Sequence, residues 1–438
     1  MTDDHPELQE PISLEAAATR AKRKIQLGFG RLGPGLITGA ADDDPSGIAT
    51  YSQAGAQFGL NMQWTLIFTY PLMVAVQVIS ARIGRVTGKG LAASLMGVFP
   101  RPTVIGLVAA LFVANTINIG ADIAAMGAAA QLLTGWGAEI FTVAAALVSL
   151  LLQVFVPYRR YVKFLKWLTL VLFAYVGVAF AAKIDWIEVG TRIIQPQLNF
   201  SPEFLTMIVA VFGTTISPYL FFWQTAEEVE EMELKDQPNL KEMDPAAARL
   251  QLRRMGIDTF TGMAISNIIA FFIMLTTAVT LHQHGVTDIQ TSAQAAEALR
   301  PVAGNLAFLL FSLGIIGTGF LAVPVLAAST AYAAADTADW PKGLEKKPGE
   351  AKAFYGVIVA GMLIALGVLF SPLDPIKMLF WSAVINGIIA VPIMAAMMLV
   401  GRKHSQMGVF VATPWQRNLG WAATIVMAVA VGAMFLVS

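Results

Sequence analysis

The chain has 438 residues, of which 56% are hydrophobic and only 13% are charged, and its mean hydropathy is +0.65. Soluble domains typically carry about 25% charged residues, so this composition predicts a polytopic membrane protein. The formal net charge is zero, which gives no basic excess for nucleic-acid binding. The chain has no cysteine, which excludes disulfide bonds, thiolate metal sites and thiol redox chemistry.

Eleven apolar segments of spanning length follow a polar N-terminus. Residues 1–32 are charged and lack the apolar core of a signal peptide, so we expect a retained cytosolic tail. The segments, numbered one to eleven, are 33–60, 63–84, 103–133, 139–157, 162–182, 204–224, 257–281, 303–335, 353–370, 376–400 and 418–437. The fold class is therefore all-α, with eleven transmembrane helices. No P-loop, nucleophile elbow or HExxH zinc motif appears, and we expect no enzymatic activity and no cofactor.

The basic residues predict the orientation of the segments. With the N-terminus inside, the cytoplasmic tail and loops receive all 29 Lys and Arg residues except Lys183, Arg192, Arg300 and Lys377. This distribution predicts a multi-pass protein of the plasma membrane with its N-terminus in the cytoplasm and its C-terminus outside. Such a topology requires an odd number of spans.

Segment one is interrupted at its centre by the sequence Asp42-Asp43-Asp44-Pro45-Ser46-Gly47. Proline removes a backbone donor and disfavours helical geometry at the residue before it, so the helix should unwind here. A carboxylate at bilayer depth is costly and usually faces a cavity, a partner or an ion. An ordinary turn between two short buried helices is the simpler alternative, but it explains these acids less well inside an apolar segment.

Segment six repeats this feature, because Gly213, Thr214, Thr215, Ser217 and Pro218 interrupt its apolar run. Paired broken helices in corresponding positions of two halves indicate a transporter site near the membrane midplane. Two unrelated proline kinks would give the same pattern, since such kinks are tolerated in membrane helices.

The residues at the two breaks offer oxygen donors to a cation. The four histidines, His5, His282, His284 and His404, all lie in the tail or in loops. Carboxylate, carbonyl, hydroxyl and water oxygens suit magnesium, manganese or calcium better than zinc, copper or ferrous iron. The small residues at the breaks would leave room for the waters that magnesium retains.

Other polar residues within the apolar segments are few. Segment three carries Asn115, Asn118 and Asp122, and we leave open whether Asp122 lines a pathway or pairs with a neighbouring helix. For the acidic run 227–233 after segment six we expect a solvated helical face, with a cation-attracting vestibule as the alternative. The charged stretches 235–250 and 336–352 are expected to be cytosolic linkers.

The stretch GPGLITGAADDDPSGIATYSQAGAQFG and the following RIGRVTGKGLA resemble the first two spans of the NRAMP-type divalent metal transporters. The resemblance implies a leucine-transporter-type fold with a 5+5 inverted repeat, and a metal bound between helices one and six. The first repeat would be 33–182 and the second 204–400, followed by the eleventh span at 418–437.

The chain departs from the family pattern at several positions that carry metal or proton chemistry. The motif aspartate is kept as Asp44, but Gly47 replaces an asparagine, Ser217 a methionine, and Tyr219 and Gln224 replace histidines. In segment three, Asn115 and Ala125 replace acids, whereas Asp122 is kept. These departures resemble the NRAMP-related magnesium transporters, which implies uptake of Mg²⁺ and Mn²⁺ without proton coupling.

We therefore expect a secondary carrier whose substrates are Mg²⁺ and Mn²⁺. Asp44 supplies the main charge, and backbone carbonyls near Asp44 and Thr214 face the ion. The remaining candidates shape the pocket, close it or assist as a second carboxylate: Ser46, Gly47, Thr215, Ser217, Tyr219, Asn386 and Asp43. The expected partners are divalent metal ions and the lipid bilayer, with no nucleic acid, and the protein is expected to be monomeric.

Three alternatives remain open at this point. The first is a proton-coupled manganese or iron carrier. The second is a sodium-coupled carrier of an organic solute on the same fold, in which Asp44 would bind an ammonium group. The third is a channel or sensor, which the spacing of the residues alone does not exclude.

Overall fold

The structure is a computed structural model that describes residues 33–165, 167–182, 184–367 and 374–437. The tail predicted for 1–32 lies outside the described residues. Within the described ranges the regular structure is helical throughout. The helices are α1 (Pro34–Asp42), α2 (Pro45–Phe58), α3 (Gln63–Thr87), α4 (Leu91–Met96), α5 (Arg101–Thr134), α6 (Ala138–Phe155), α7 (Tyr158–Leu165), α8 (Phe173–Ala181), α9 (Trp186–Ile194), α10 (Pro202–Thr215), α11 (Pro218–Leu234), α12 (Pro245–Thr280), α13 (Ser292–Glu297), α14 (Arg300–Ala303), α15 (Ala307–Ala338), α16 (Lys352–Gly367), α17 (Pro375–Arg402), α18 (His404–Met407) and α19 (Pro414–Val437).

Both predicted helix breaks are confirmed. Segment one divides into α1 and α2, and Asp44 precedes α2 in an extended conformation, with φ −71° and ψ 169°. Segment six divides into α10 and α11, and Ser217 is likewise extended, with φ −76° and ψ 132°. In each case proline is the first residue of the second helix, where its missing N–H would have no intrahelical partner in any case. The breaks are therefore consequences of the local sequence.

Each of the eleven apolar segments contains helix, but fewer helices qualify individually as membrane spans. Among the described residues, eight helices are long and apolar enough to cross a membrane, or up to nine if the pair Leu170–Ala181 and Trp186–Ile194, bent by 110°, is one span. The stretch Pro45–Thr87 counts once in that number although it covers segments one and two, and α16 is shorter than a full span. The total of eleven spans remains a prediction.

The expected cytosolic linker at 235–250 is only partly correct. Helix α12 is 36 residues long and begins at Pro245, because Asp244 caps it by accepting hydrogen bonds from the amides of Ala246 and Ala247 at 2.9 and 3.2 Å. Similarly, α15 extends to Ala338, into the second expected linker. The sequence prediction placed these boundaries at the loss of hydrophobicity, but the capping residue determines where a helix starts.

Glycines allow the short helix α1 to pack directly on α12. A Cβ atom added at Gly35 would lie 2.5 Å from the backbone of Thr259, and one added at Gly39 would overlap the backbone of Gly262. Gly35 and Gly39 are four residues apart and so share one face of α1. Such small-residue pairs allow membrane helices to approach closely. Helix α1, the first half of segment one, therefore packs directly against α12, which contains segment seven.

We predict that Gly39→Leu destabilises the protein by about 3 kcal/mol or more, because the added side chain forces the two backbones apart. The matched control is Gly356→Leu in α16, an exposed position where an added Cβ atom meets nothing within 4 Å; it should cause no loss beyond about 0.5 kcal/mol. Unfolding of the purified variants in detergent measures both effects. Equal stability of the two variants would contradict the close packing of α1 on α12.

Candidate cation site

Asp44 lies between α1 and α2 and is fully enclosed by the protein, with 2% of its surface exposed. One carboxylate oxygen, Oδ1, accepts a hydrogen bond of 2.6 Å from the amide of Gly47 and so caps α2. The other, Oδ2, accepts one of 3.0 Å from the side-chain amide of Asn118 on α5. Each oxygen retains lone pairs, because a carboxylate can accept about four hydrogen bonds in total. Asp44 is therefore positioned by two donors and keeps capacity for a cation.

Asn118 connects three helices at this point. Its Nδ2 also donates to Asp122 Oδ2 at 3.2 Å, and its Oδ1 accepts from Asn386 Nδ2 on α17 at 3.3 Å. Among the described residues the side-chain oxygen Oδ1 of the buried Asn386 has no hydrogen-bond partner. The sequence prediction did not place Asn118 at the site. Its signal was available, since Asn118 and Asp122 are four residues apart and face the same side of an apolar helix.

The other two aspartates point toward a different helix. The hydroxyl of Ser266 on α12 lies 2.6 Å from Asp42 Oδ2 and 3.1 Å from Asp43 Oδ1. All three side chains are buried. Asp43, proposed from the sequence as an assisting carboxylate, therefore contacts α12, whereas Asp44 contacts α5. At the break before Pro45 these neighbouring carboxylates therefore face different helices.

At the second break, hydroxyl groups bond to nearby carbonyl groups. Ser217 Oγ donates to the carbonyl oxygens of Gly213 and Thr214, at 2.8 and 2.9 Å. Thr215 Oγ1 donates to the carbonyl of Val211 at 2.6 Å and lies 3.1 Å from the Tyr51 hydroxyl. The Thr214 carbonyl, expected to face the ion, therefore already accepts one hydrogen bond. A second lone pair on that oxygen remains for another partner.

Two residues join the breaks to each other. The Tyr219 hydroxyl donates to the carbonyl of Ala41 at 3.0 Å, across from α11 to the end of α1. A Cβ atom at Gly47 would lie 3.2 Å from Thr214 Oγ1, 3.3 Å from Asp44 Oδ1 and 3.4 Å from the carbonyl oxygen of Asp42. Gly47 therefore lies where the two interrupted helices meet, and a side chain at this position would press against Asp44 and Thr214.

Helix α17 borders the first break. Ser46 Oγ donates to the carbonyl of Leu379 at 3.0 Å and lies 3.2 Å from Ser382 Oγ. Asn386, one turn further along α17, reaches Asn118 as described above. The structure thus brings Asp44, Gly47 and Thr214 together, connects Tyr219 to α1, and places Ser46 and Asn386 against α17 and α5.

The donors around Asp44 are carboxylate, amide, hydroxyl and backbone oxygens. In the part of the chain that the structure describes, no three His, Asp or Glu side chains form a group that could hold a metal ion. Any cation bound here would therefore have at most two such carboxylates, supplemented by neutral oxygens and water. Hard cations accept such ligands readily.

Polar contacts close α1 against its neighbours on the side of its N-terminus. Thr38 donates to Gln224 on α11, and Gln224 donates to Glu228 at 2.9 Å. The amide of Gly35 donates to Asp258 on α12 at 2.7 Å. On the other side of the site, cavities of about 590 Å³ and 550 Å³ border Ile376 at the start of α17.

The expectation of a solvated face for the acidic run is wrong. Glu227, Glu228 and Glu230 are buried on α11. Glu228 and Glu231 both pair with Arg85 of α3, and the hydroxyl of Tyr332 donates to Glu230 at 2.5 Å. The pairing partners are distant in sequence, so the local pattern of charges does not reveal them.

The family profile described as "Natural resistance-associated macrophage protein-like" matches residues 35–437. The chain belongs to the Nramp family. The divalent metal cation transporter MntH of Klebsiella pneumoniae is 25% identical over 429 residues, which cover 94% of this chain and 95% of the relative. MntH of Yersinia enterocolitica is 29% identical over 317 residues, which cover 68% and 70%.

The structure resembles that of the manganese transporter of Eremococcus coleocola, solved with an aromatic bis-isothiourea compound. The TM-score is 0.71 at 17% identity, and the match covers 94% of this chain and 86% of the solved chain. At this identity the likeness establishes the Nramp fold alone. The family match makes this chain a multi-pass membrane transporter and not an enzyme, and Nramp proteins need no cofactor.

We predict that Asn118→Ala weakens divalent-metal binding by about 10–100-fold, because Asp44 loses one of the donors that orient it. The matched control is Asn115→Ala on the same helix, since Asn115 donates to Leu326, Ser329 and Thr330 of α15 instead. Asp44→Ala should abolish binding. Isothermal titration of the purified Nramp variants with Mn²⁺ and Mg²⁺ measures these effects. Equal affinities of the two asparagine variants would show that Asn118 does not contribute to metal binding.

Proposed function

We propose that this Nramp protein carries divalent cations across the plasma membrane, chiefly Mg²⁺ and also Mn²⁺, by alternating access and without proton coupling. The observation that carries the proposal is that the side chains at the two helix breaks offer a cation only oxygen ligands, from Asp44 at the first break and from Thr214 and Ser217 at the second. We include in the proposal a monomeric carrier, with its N-terminus in the cytoplasm and its C-terminus outside.

The donor chemistry supports a preference for hard cations. A thioether at position 217 would favour softer transition metals, whereas serine offers only oxygen. Mg²⁺ dehydrates reluctantly and usually keeps several waters beside one or two carboxylates. Gly47 places no side chain between Asp44 and Thr214, which leaves their oxygens free of a competing side chain. Asp44, Thr214, Ser217 and Asn386 would then contact the ion directly or through water.

The arrangement on the two sides of the site supports alternating access. Hydrogen bonds from Thr38 and Gly35 hold α1 closed, while the larger cavities near Ile376 lie on the other side. The membrane potential alone is sufficient to drive accumulation of the cation, without a proton gradient. A divalent cation moving inward gains about 4.6 kcal/mol per 100 mV, which corresponds to roughly a thousandfold accumulation.

A proton-coupled manganese carrier is the second candidate. The observation that favours it is the naming of the relatives, which are the divalent metal cation transporter MntH and a manganese transporter. The sodium-coupled carrier of an organic solute receives no such support. The two metal-carrier proposals differ in the ion preferred and in whether protons move with it.

We predict Mg²⁺ uptake into proteoliposomes under an inside-negative potential, with no internal acidification. Uptake should rise with the potential, because the cargo carries two charges across the membrane. A magnesium-sensitive dye and an internal pH dye, recorded together, measure both quantities, and vesicles containing Asp44→Ala serve as the control. Acidification that accompanies Mn²⁺ uptake, with no uptake of Mg²⁺, would favour the second candidate instead.

We predict that Ser217→Met shifts transport toward Mn²⁺ or Cd²⁺ over Mg²⁺ by about tenfold, or about 1.4 kcal/mol, because the thioether is a softer ligand. Ser217→Ala removes the hydroxyl without supplying sulfur and controls for the loss of its hydrogen bonds to Gly213 and Thr214. Competition between the metals in the uptake assay gives the ratio. Unchanged selectivity in Ser217→Met would show that this side chain does not face the ion.

A further inference from the structure

A groove of about 320 Å³ lies between α3, α12 and α19, away from the candidate cation site. It opens on the outer surface of the helix bundle, where Ile257, Phe260 and Trp415 are about half exposed. Its lining includes an apolar wall with Val74, Val78, Ile257 and Phe260, and two arginines, Arg82 and Arg253. In the described part of the chain no other charged residue lines it, so the groove combines an apolar wall with a cationic end.

The two arginines lack acidic partners within the described residues. Arg82 is 8% exposed, and its Nη1 donates only to the carbonyl oxygens of Phe410 and Val411, at 3.3 and 3.2 Å. Its Nε has no hydrogen-bond partner in the described structure. Arg253 is exposed at the groove and forms no ion pair with a described residue.

An uncompensated guanidinium that is nearly buried in a membrane protein is costly. Elsewhere in this structure that cost is met by protein carboxylates, because Arg85, one turn along α3 from Arg82, pairs with Glu228 and Glu231. Arg82 has only two backbone carbonyls. Arg82 therefore lacks the carboxylate partners that the neighbouring Arg85 has.

We propose that the groove binds an anionic phospholipid. The phosphate and anionic headgroup contact Arg82 and Arg253, and an acyl chain lies along Val74, Ile257 and Phe260. Basic pockets between transmembrane helices on the cytoplasmic side bind anionic headgroups, and the basic residues predict that this end of α3 is cytoplasmic. Trp415 at the groove has the position of an interfacial aromatic residue.

The mixed lining favours a lipid over a soluble phosphate. A free phosphate ion gains nothing from the apolar wall formed by Val74, Val78 and Phe260, whereas an acyl chain buries it. The opening faces the surface that the bilayer covers, so a lipid enters sideways without crossing water. Neither feature involves Asp44 or the transported ion, and the proposal does not depend on which metal is carried.

Native mass spectrometry of the purified full-length protein tests the proposal. Phosphatidylglycerol and phosphatidylcholine with identical acyl chains are added in parallel, and phosphatidylglycerol should be retained preferentially. Arg253→Gln should weaken that retention about fivefold, the equivalent of about 1 kcal/mol per basic residue near the membrane surface. Arg254→Gln, an adjacent exposed arginine outside the groove lining, is the matched control and should bind as the unmodified protein does.

A second pair of variants tests the apolar part without changing charge. Gly256→Leu places a side chain in the groove, where an added Cβ atom meets nothing within 4 Å, and should reduce phosphatidylglycerol retention. Gly356→Leu in α16, equally free of contacts, should leave it unchanged. Equal retention of both lipids, or full retention by both Arg253→Gln and Gly256→Leu, would overturn the proposal. Displacement of the lipid by inorganic phosphate would instead identify a soluble anion site.

Discussion

The buried carboxylate of Asp44 is the constraint on which the centre of the structure depends. A charged group at this depth requires donors, and two are supplied by different parts of the chain, the amide of Gly47 and the side chain of Asn118. The first donor exists only because Pro45 starts a new helix, and the second only because α5 passes beside the break. Asp44 therefore joins the cap of α2 to the packing of α2 near α5, beside the point where Gly47 meets Thr214.

The features that were predicted correctly from the sequence are those that depend on residues adjacent in the chain. Asp44-Pro45 and Ser217-Pro218 each interrupt a helix, because proline excludes helical geometry at the residue before it, and the structure has both breaks. Asn118 was missed because its role comes from a contact 74 positions away in sequence. The acidic run was misassigned for the same reason, since the burial of Glu228 depends on Arg85, 143 positions distant.

The three consecutive aspartates show why adjacency in sequence is a poor guide to a site. The sequence analysis expected Asp43 to assist Asp44 as a second carboxylate. In the structure, Ser266 lies beside Asp42 and Asp43, whereas Asn118 contacts Asp44. The change of backbone direction before Pro45 turns Asp42 and Asp43 toward α12 and Asp44 toward α5, so Asp44 has a partner that the two preceding carboxylates do not share. No pattern in the sequence specifies which neighbouring helix each carboxylate will face.

The contacts that hold α1 differ in kind from those that join α3 to α11 on the same side of the site. Thr38 and Gly35 attach α1 through single hydrogen bonds, each worth about 1 kcal/mol net, or somewhat more where the partner is charged. The stronger double ion pair of Arg85 joins α3 to α11 and does not include α1. Glycine contacts between α1 and α12 interlock no large side chains. If the carrier alternates between two openings as proposed, it needs an element that separates at low cost beside a frame that does not, and these contacts fit α1 to the first role and the α3–α11 pair to the second.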